Sequence, residues 1–598
     1  MPATSLASAD NCRVAEDAPA PALDIVPFRA PSRAVLWPDA ARMGLRRIWR
    51  PLAIWLRGGW LYRQTLRGPI PNRIHFHPGD PRTQRLDDAD AFMRGRFRFA
   101  GQILEVREGS IFDQPAPSES FSAALHGFDW LRHLELAGGE LACQFALKVT
   151  QQWVRRYGRY APLPWQPEII AERFLNLFAH TRFFLTNSDP TWRSRLFVSL
   201  RDQARMLERT IQEAPDGLAR LKSAAALALA GLSLSDARSA AAGLKHLAYE
   251  IERQILADGG HVSRSPEALL EAFRVLSMVQ QVLDSANREL QPALRGALDR
   301  MAPMLRFFRL GDGALAVFHG GGEADEPTVA AALECDDAAG RPLGHAPHTG
   351  FQRLAAGRTL VLLDVGGAPR GVFSATAHAS CLAFEMSVGV HRMIVNCGTA
   401  LPDTVPWVSA LRSTPAHSTL TINDASSATV LRDGVLANLL GPLLIGGPSG
   451  IETRRSENPQ GLTADAKHDG YRSRFGLIHQ RSMTLSPRGL KLMGVDRLIP
   501  AETEAGKRNG GMGRLPFAIR FHVHPDVRLS LAQGGGSVIL KLPNGEGWRF
   551  RCEGALAIEE SIYLGSGSSR RAEQLVISGE LRNEAIECAW LLEQVGSA

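Results

Sequence analysis

The hydrophobic period of this chain changes once, near Gly311, and no other feature limits its fold as strongly. Before that point seven consecutive stretches, from GELACQFALKVTQQWVRRY (139–157) to LRGALDRMAPMLRFFRL (294–310), repeat apolar residues at i, i+3, i+4 and i+7. That spacing puts one apolar face on each of a series of helices. Short links such as NSDP, EAPDG and DGGHVSRS separate them, and Asp189 and Ser265 are placed as N-caps, each followed by proline. After Gly311 the period falls to two, in runs such as TLVLLDVG, GLKLMGVDRLI and SVILKLP, broken by Gly and Pro turns. The first half predicts an α/α array of antiparallel helices and the second a large antiparallel β-sandwich.

At 598 residues the chain exceeds one ordinary core. The division reads as a disordered tail over 1–35, an Arg/Trp-rich arm with an irregular segment over 36–120, the helical domain over 121–310 and the sandwich over 311–598. The seven cysteines are scattered with no CxxC pair, which predicts free thiols in a reducing compartment. The N-terminal stretch has no basic start followed by an apolar core, so no signal peptide and a cytoplasmic location are expected. No apolar run reaches the length of a membrane span. The net charge of +7 is compatible with an acidic polymer, but a basic solvated surface is the plainer reading, and no nucleic-acid partner is expected.

Residues 42–67 hold three tryptophans and seven arginines. Two readings fit. One is an interfacial helix meeting anionic lipid or an acidic partner. The other is an arm whose tryptophans dock on the protein while arginine stems snorkel. Pro51 and Gly58-Gly59 predict a break in any long helix there.

The stretch Ala375–Thr421 reads as strands that bring His378 and His417 to one place. It contains TAHASCLAFEM (376–386), VNCGT (395–399) and RSTPAHST (412–419). In that order these segments resemble the C-terminal part of the heparinase II/III family of polysaccharide lyases. The resemblance covers about 120–598 and implies an incomplete α/α toroid followed by a β-sandwich. It also implies a periplasmic or envelope location, an acidic polysaccharide as partner, and β-elimination of a uronic-acid polymer.

β-Elimination requires a neutralised carboxylate, a base for the neighbouring C–H, and an acid for the leaving oxygen. The positions at which the resemblance places these groups have changed. The family's first histidine falls at Thr376, its toroid tyrosine at Ala268, and its Asn-His segment in DGLARLK (216–222). The remaining catalytic candidates are His261, His378, His417 and Tyr471, with His261 as a replacement base. Trp165, Arg173, Asn176, Asp258, Arg264 and Arg412 are the candidate substrate contacts. Each of these also reads as a packing or bracing residue. The resemblance further implies a structural zinc, with His378, Asn396 and His417 at the ligand positions, although Asn replaces a carboxylate there. His522 and His524 share a strand face and form a second candidate metal pair. The alternative to a lyase is a catalytically inactive carbohydrate-binding or envelope-associated protein of the same fold.

Overall fold

The computed structural model describes residues 36–596 apart from 187, 335–341, 401–407, 502–513, 566–567 and 582–584. The tail over 1–35 lies outside the described residues.

The helical half forms as its period demands. Asp189 and Ser265 cap as expected, accepting the N–H groups of Trp192 and Ala268 at 2.8 and 3.4 Å. Three helices, Pro167–His180, Leu218–Ser233 and Pro266–Ser285, lie side by side, with Leu218–Ser233 in the middle and almost wholly buried. Pro190–Thr210, Ala237–Gln254 and Pro292–Phe308 pack against them. The Ala-rich stretch Leu218–Ser233 crosses Ala237–Gln254 backbone to backbone. A Cβ on Gly231 would stand 2.0 Å from Ala240 N, and one on Gly243 would stand 2.2 Å from Ala228 N. Only glycine permits that approach.

The sequence predicts irregular structure over 70–125 with one short strand, FRFAGQILEV (97–106), and a hairpin stands at that strand. Three helices (Leu86–Met93, Glu119–Gly127 and Leu131–Ala137) and a hairpin of Arg96–Phe99 with Gln102–Glu105 lie in or next to that stretch. These helices are too short to show a full 3.6-residue period in the sequence.

The second half contains two large antiparallel sheets. One has eight strands in the order 451–458, 461–468, 477–485, 491–500, 586–594, 547–552, 537–541 and 528–532. The other, of nine strands, carries Phe384–Val388, His391–Val395 and Leu515–Val523 at its centre. Their inner faces meet through Phe384, Phe521, Phe550 and Trp590, with Phe384 stacked on Trp590 at 5.8 Å. A polar knot crosses this apolar core. Arg481 binds both oxygens of Asp496 at 2.8 and 3.0 Å and donates to the carbonyls of Leu382 and Ser418 opposite. His479 and the Trp590 indole complete the coordination of Asp496.

The two halves share one core. Phe308 at the end of the last toroid helix and Phe318 just past the boundary pack edge to face on Phe351 of the sandwich, at 4.9 and 5.1 Å.

The N-terminal arm departs from expectation. Helix Trp37–Gly58 runs straight through Pro51 and ends only at the Gly58-Gly59 pair. Its first turn docks through Leu36 and Ala40 on Leu431, Leu443 and Ile445 of the sandwich. Near its end Arg57 pairs with Glu213 of the toroid. The tryptophans do not dock: Trp49, Trp55 and Trp60 are 57%, 73% and 69% exposed.

Replacing Arg481 with alanine leaves Asp496 and His479 buried without their cation. The expected loss is about 3–5 kcal/mol, read as a drop in the urea unfolding midpoint; a loss below about 1 kcal/mol would mean the knot is energetically neutral.

Candidate functional site

The strands of Ala375–Thr421 do bring the two predicted histidines together. His417 Nδ1–H donates to the Ser413 carbonyl at 2.8 Å, and His378 Nδ1 lies 3.0 Å from His417 Nε2. This fixes the tautomers: His378 donates and His417 accepts. A third histidine, His319, accepts the His378 N–H at 3.3 Å and reaches Asp364 at 3.1 Å. Asp364 also takes the Ser380 hydroxyl at 2.7 Å and pairs with Arg264. Sequence reading missed His319 and Asp364. The Gly-rich run after His319 was the one available signal.

The group is sealed. His319, His378, His417, Asp364 and Arg264 are all buried. Burial pushes His417 down to about 4 and His378 further below its ordinary value, where His417 and His319 add to the effect. Burial works against ionisation of Asp364, but Arg264 and His319 overcome it and hold the carboxyl far below the usual range. The result is a neutral pair of imidazoles and one ionic clasp, with no exposed base.

The zinc implied by the resemblance is not matched by the donors present. His378 and His417 would serve, but the third side chain is committed elsewhere. Asn396 accepts the Ser418 N–H at 3.1 Å and donates to Glu385 at 3.2 Å and to the Val317 carbonyl at 3.4 Å. A neutral amide spent in this way does not replace a carboxylate ligand. Among the described residues no group of three or more His, Cys, Asp or Glu could hold an ion. His522 and His524 also part company. His522 bonds Ser561 and the Pro415 carbonyl, while His524 packs on Tyr563 at 5.0 Å.

The other candidates are structural. His261 accepts the Ser263 N–H at 3.2 Å and donates to Gln254 at 3.0 Å, and burial pushes it down to about 4. Both nitrogens are used within its own loop region, so it cannot reach a substrate proton. Tyr471 donates to the Leu420 carbonyl at 2.9 Å inside the sandwich, and burial raises its phenol above the ordinary range. Trp165 is buried and donates to the Tyr157 carbonyl, so it offers no sugar platform. Arg173 is fully enclosed, bonded to Gln203 and to the carbonyls of His126 and Pro164, and burial lowers it to about 9. Arg412 serves the carbonyls of Ala377, Pro442 and Ser374. Asp258 clasps the sandwich loop, accepting the N–H groups of His348 and Thr349 at 2.9 and 2.7 Å. Arg264 likewise spans toroid to sandwich, donating to the Thr349, Gly350 and Gly367 carbonyls.

Of the predicted contacts only Asn176 lies in a polar network on the face of the three inner helices. This network is a ribbon of alternating charge. Glu172 meets Lys222 at 2.7 Å, Lys222 meets Glu271 at 3.0 Å, and Glu271 meets Arg274 at 3.0 Å. Arg274 lies 3.9 Å from Asp80, which pairs with Arg82; Arg82 meets Asp129 at 2.7 Å, and Asp129 meets Arg132 at 3.2 Å. Asn176 accepts from Arg82 and donates to the Gly127 carbonyl. His180 bridges Asp80 and Glu135 at 3.2 and 2.6 Å. Burial would lower His180, but the two carboxylates more than offset it and raise it. Burial likewise opposes Lys222, and Glu172 and Glu271 raise it. Five acids, Glu135 among them, face Lys222, Arg274, Arg82, Arg132 and His180 along the ribbon, so each of its cations is already paired.

The positions where the resemblance placed chemistry are Thr376, Ala268 and the segment 216–222, which ends at Lys222. Thr376 is exposed and sits against Gly320, whose added Cβ would stand 2.6 Å from the Thr376 carbonyl. Ala268 is half-buried and has no polar group, and Lys222 is consumed by its two carboxylates.

Comparison with known proteins fits this geometry. The model of the heparinase II/III-like C-terminal domain matches residues 338–591. FtsZ-localized protein C of Caulobacter vibrioides (strain NA1000 / CB15N) is 34% identical over 532 residues, spanning 88% of this chain and 91% of that protein. Among solved structures, heparinase III superposes with a TM-score of 0.67 at 14% identity, over 86% of each chain. A mutant of the heparan sulfate lyase HepC from Pedobacter heparinus gives 0.60 at 16% identity, over 95% of this chain and 92% of that one. The fold is therefore that of these lyases, toroid and sandwich together.

Buried histidines give this architecture an acid limit. In the unfolded chain an imidazole protonates near 6.5, whereas folded His261 and His417 stay neutral to about 4. Acid therefore favours the unfolded state, and stability falls as pH drops from 6.5 toward 4. A His261→Asn variant is expected to show a shallower fall of thermal midpoint over that window, by one proton's worth of slope. An unchanged slope would mean His261 already carries a proton in the folded chain.

Proposed function

Because the chain belongs to the heparinase II/III-like family, we propose that it keeps the polysaccharide lyase fold as a non-catalytic, polysaccharide-binding module of a division-site protein. The observation that carries this reading is the neutral ribbon on the toroid face. A uronate carboxylate must be neutralised before its neighbouring C–H turns acidic. Here Lys222, Arg274, Arg82 and Arg132 are each already matched by a carboxylate. Removing one of those partners to admit a substrate would cost more than the substrate charge returns. The base and acid are missing as well, since Thr376 and Ala268 stand in their places and the nearby histidines are sealed. The relative named as FtsZ-localized matches this chain over nearly its whole length, which favours a location with FtsZ, in the cytoplasmic compartment expected from the sequence.

A second observation favours membrane docking as part of the same role. Helix Trp37–Gly58 exposes Leu45, Ile48, Trp49, Leu52, Trp55 and Leu56 along one stripe, and Trp60 and Leu61 extend it. Arg42, Arg46 and Arg50 are exposed on the same helix. An apolar stripe flanked by arginine suits the interface of an anionic bilayer, with the indoles at headgroup depth.

Incubation with a panel of uronic-acid polymers is expected to give no unsaturated product by ultraviolet absorbance, alongside measurable binding to at least one polymer. Turnover that disappears in His378→Ala would instead establish a lyase with a rearranged site. In vesicle flotation the full chain is expected to rise with anionic liposomes. The Trp49→Glu, Trp55→Glu double variant should lose about tenfold in partition; equal flotation of both proteins would remove the helix as the docking element.

A further inference from the structure

The residues that close the toroid face do not belong to the toroid. Asp80 and Arg82 come from an extended segment, 74–83, that joins the N-terminal helices to the rest of the chain and has no regular secondary structure. It crosses the inner helices one after another. His75 N–H donates to the Ser233 carbonyl at 2.8 Å, and His77 reaches the Phe178 carbonyl at 3.0 Å. Gly79 N–H donates to Gln281 at 2.8 Å, and Thr83 N–H donates to Thr328 at 2.9 Å. Between these points the Asp80 and Arg82 side chains insert into the helix face. They bind His180, Asn176 and Asp129, and Asp80 lies within reach of Arg274.

This attachment differs from that of the helices beneath. Among the described residues the segment makes one main-chain to main-chain bond to the toroid, from His75; the rest are side-chain bonds. Removing the segment would strip no helix of its ladder. It would uncover His180, Asn176 and Arg274, with Arg274 still held by Glu271. Segments joined in this way open at a lower free energy than the elements they cover. The strap's carboxylate and guanidinium thus engage the polar groups of that face themselves.

We propose that segment 74–83 is an intramolecular strap that occupies the toroid face and opens as a unit separate from the toroid, so that ligands reach the face only when Asp80 and Arg82 withdraw. The ligand class rests on the polysaccharide-binding reading above; the opening itself does not.

Three forms of the full chain decide it: wild type, Asp80→Asn with Arg82→Gln, and Gly79→Cys with Gln281→Cys. In the last, the new Cβ at position 79 would stand 3.4 Å from the Gln281 side-chain oxygen, and the oxidised form is used once mass spectrometry shows the 79–281 disulfide, which ties the strap down. Hydrogen exchange in the wild type is expected to label amides of 74–83 at least about tenfold faster than those of Pro167–His180 and Pro266–Ser285. Carbethoxylation of the buried His180, followed by mass spectrometry, should be slow in wild type, faster by about tenfold in the Asp80/Arg82 variant, and slowest in the oxidised cysteine form, recovering on reduction. Strap amides that exchange only together with the helices beneath, or His180 labelling that is the same in all three forms, would overturn the proposal. The Asp80/Arg82 variant is judged only if its far-ultraviolet circular dichroism matches wild type; the cysteine pair, read before and after reduction, decides the question without it. Binding of heparan sulfate and polygalacturonate oligosaccharides is measured in parallel. Faster His180 labelling without tighter binding would sink the polysaccharide reading and leave the strap standing. Tighter binding by about tenfold in the opened variant, absent in the oxidised one, supports both.

Discussion

The guanidinium of Arg264 holds the two halves of this molecule in one piece. It leaves the toroid just before the cap of helix Pro266–Ser285 and enters the sandwich, where it is fully buried. There it meets three carbonyls and Asp364, and it lies over the Phe351 ring at 4.8 Å. A charge placed so deep is tolerable only when every donor is met. The surrounding sequence is built to meet them. Gly366 has no Cβ because one would stand 2.4 Å from the Arg264 side chain. Asp258, one turn of loop away, adds its own clasp to Thr349. The relative position of toroid and sandwich is thus set by polar geometry, and the shared apolar core around Phe351 fills in behind it.

The same chemistry governs the candidate site at the seam. Polar residues at the seam have been drawn into internal bonds: Asp364 to Arg264, His378 to His417, Asn396 to Glu385. Glu385 is itself held by the Val317 N–H, and burial raises it to about 7 against the pull of Arg392. A catalytic group must keep one valence open toward solvent and substrate. At this seam most of these valences are closed by internal bonds, and His378 Nε2 is a buried ring nitrogen left without a hydrogen-bond partner among the described residues.

Much of the fold was legible in the sequence because period and caps are local signals. The helix GELACQFALKVTQQWVRRY lies where its spacing put it, Gly139–Tyr157, and Asp189 and Ser265 start their helices. The convergence of His378 and His417 was legible too, through strand order. The state of those histidines was not, because burial and partner choice depend on residues far away in the chain, such as His319 and Asp364. Helix Trp37–Gly58 was misjudged for a related reason. Pro51 predicts a break, but on an exposed helix water takes up the carbonyl that proline frees. The ribbon of charges was invisible from sequence, since Asp80, Asp129, Lys222 and Arg274 come from four separate segments.

The contact between Leu218–Ser233 and Ala237–Gln254 carries a consequence of its own. At Gly231 and Gly243 the glycine lies against opposing main chain, so at these two crossing points no side chain acts as a cushion. Most packed helices can slide a little as their side chains switch rotamer. This pair lacks that freedom and moves as a single plank. Any bending of the toroid must therefore occur at its other seams, and evolutionary drift that adjusts its curvature must leave these two positions untouched.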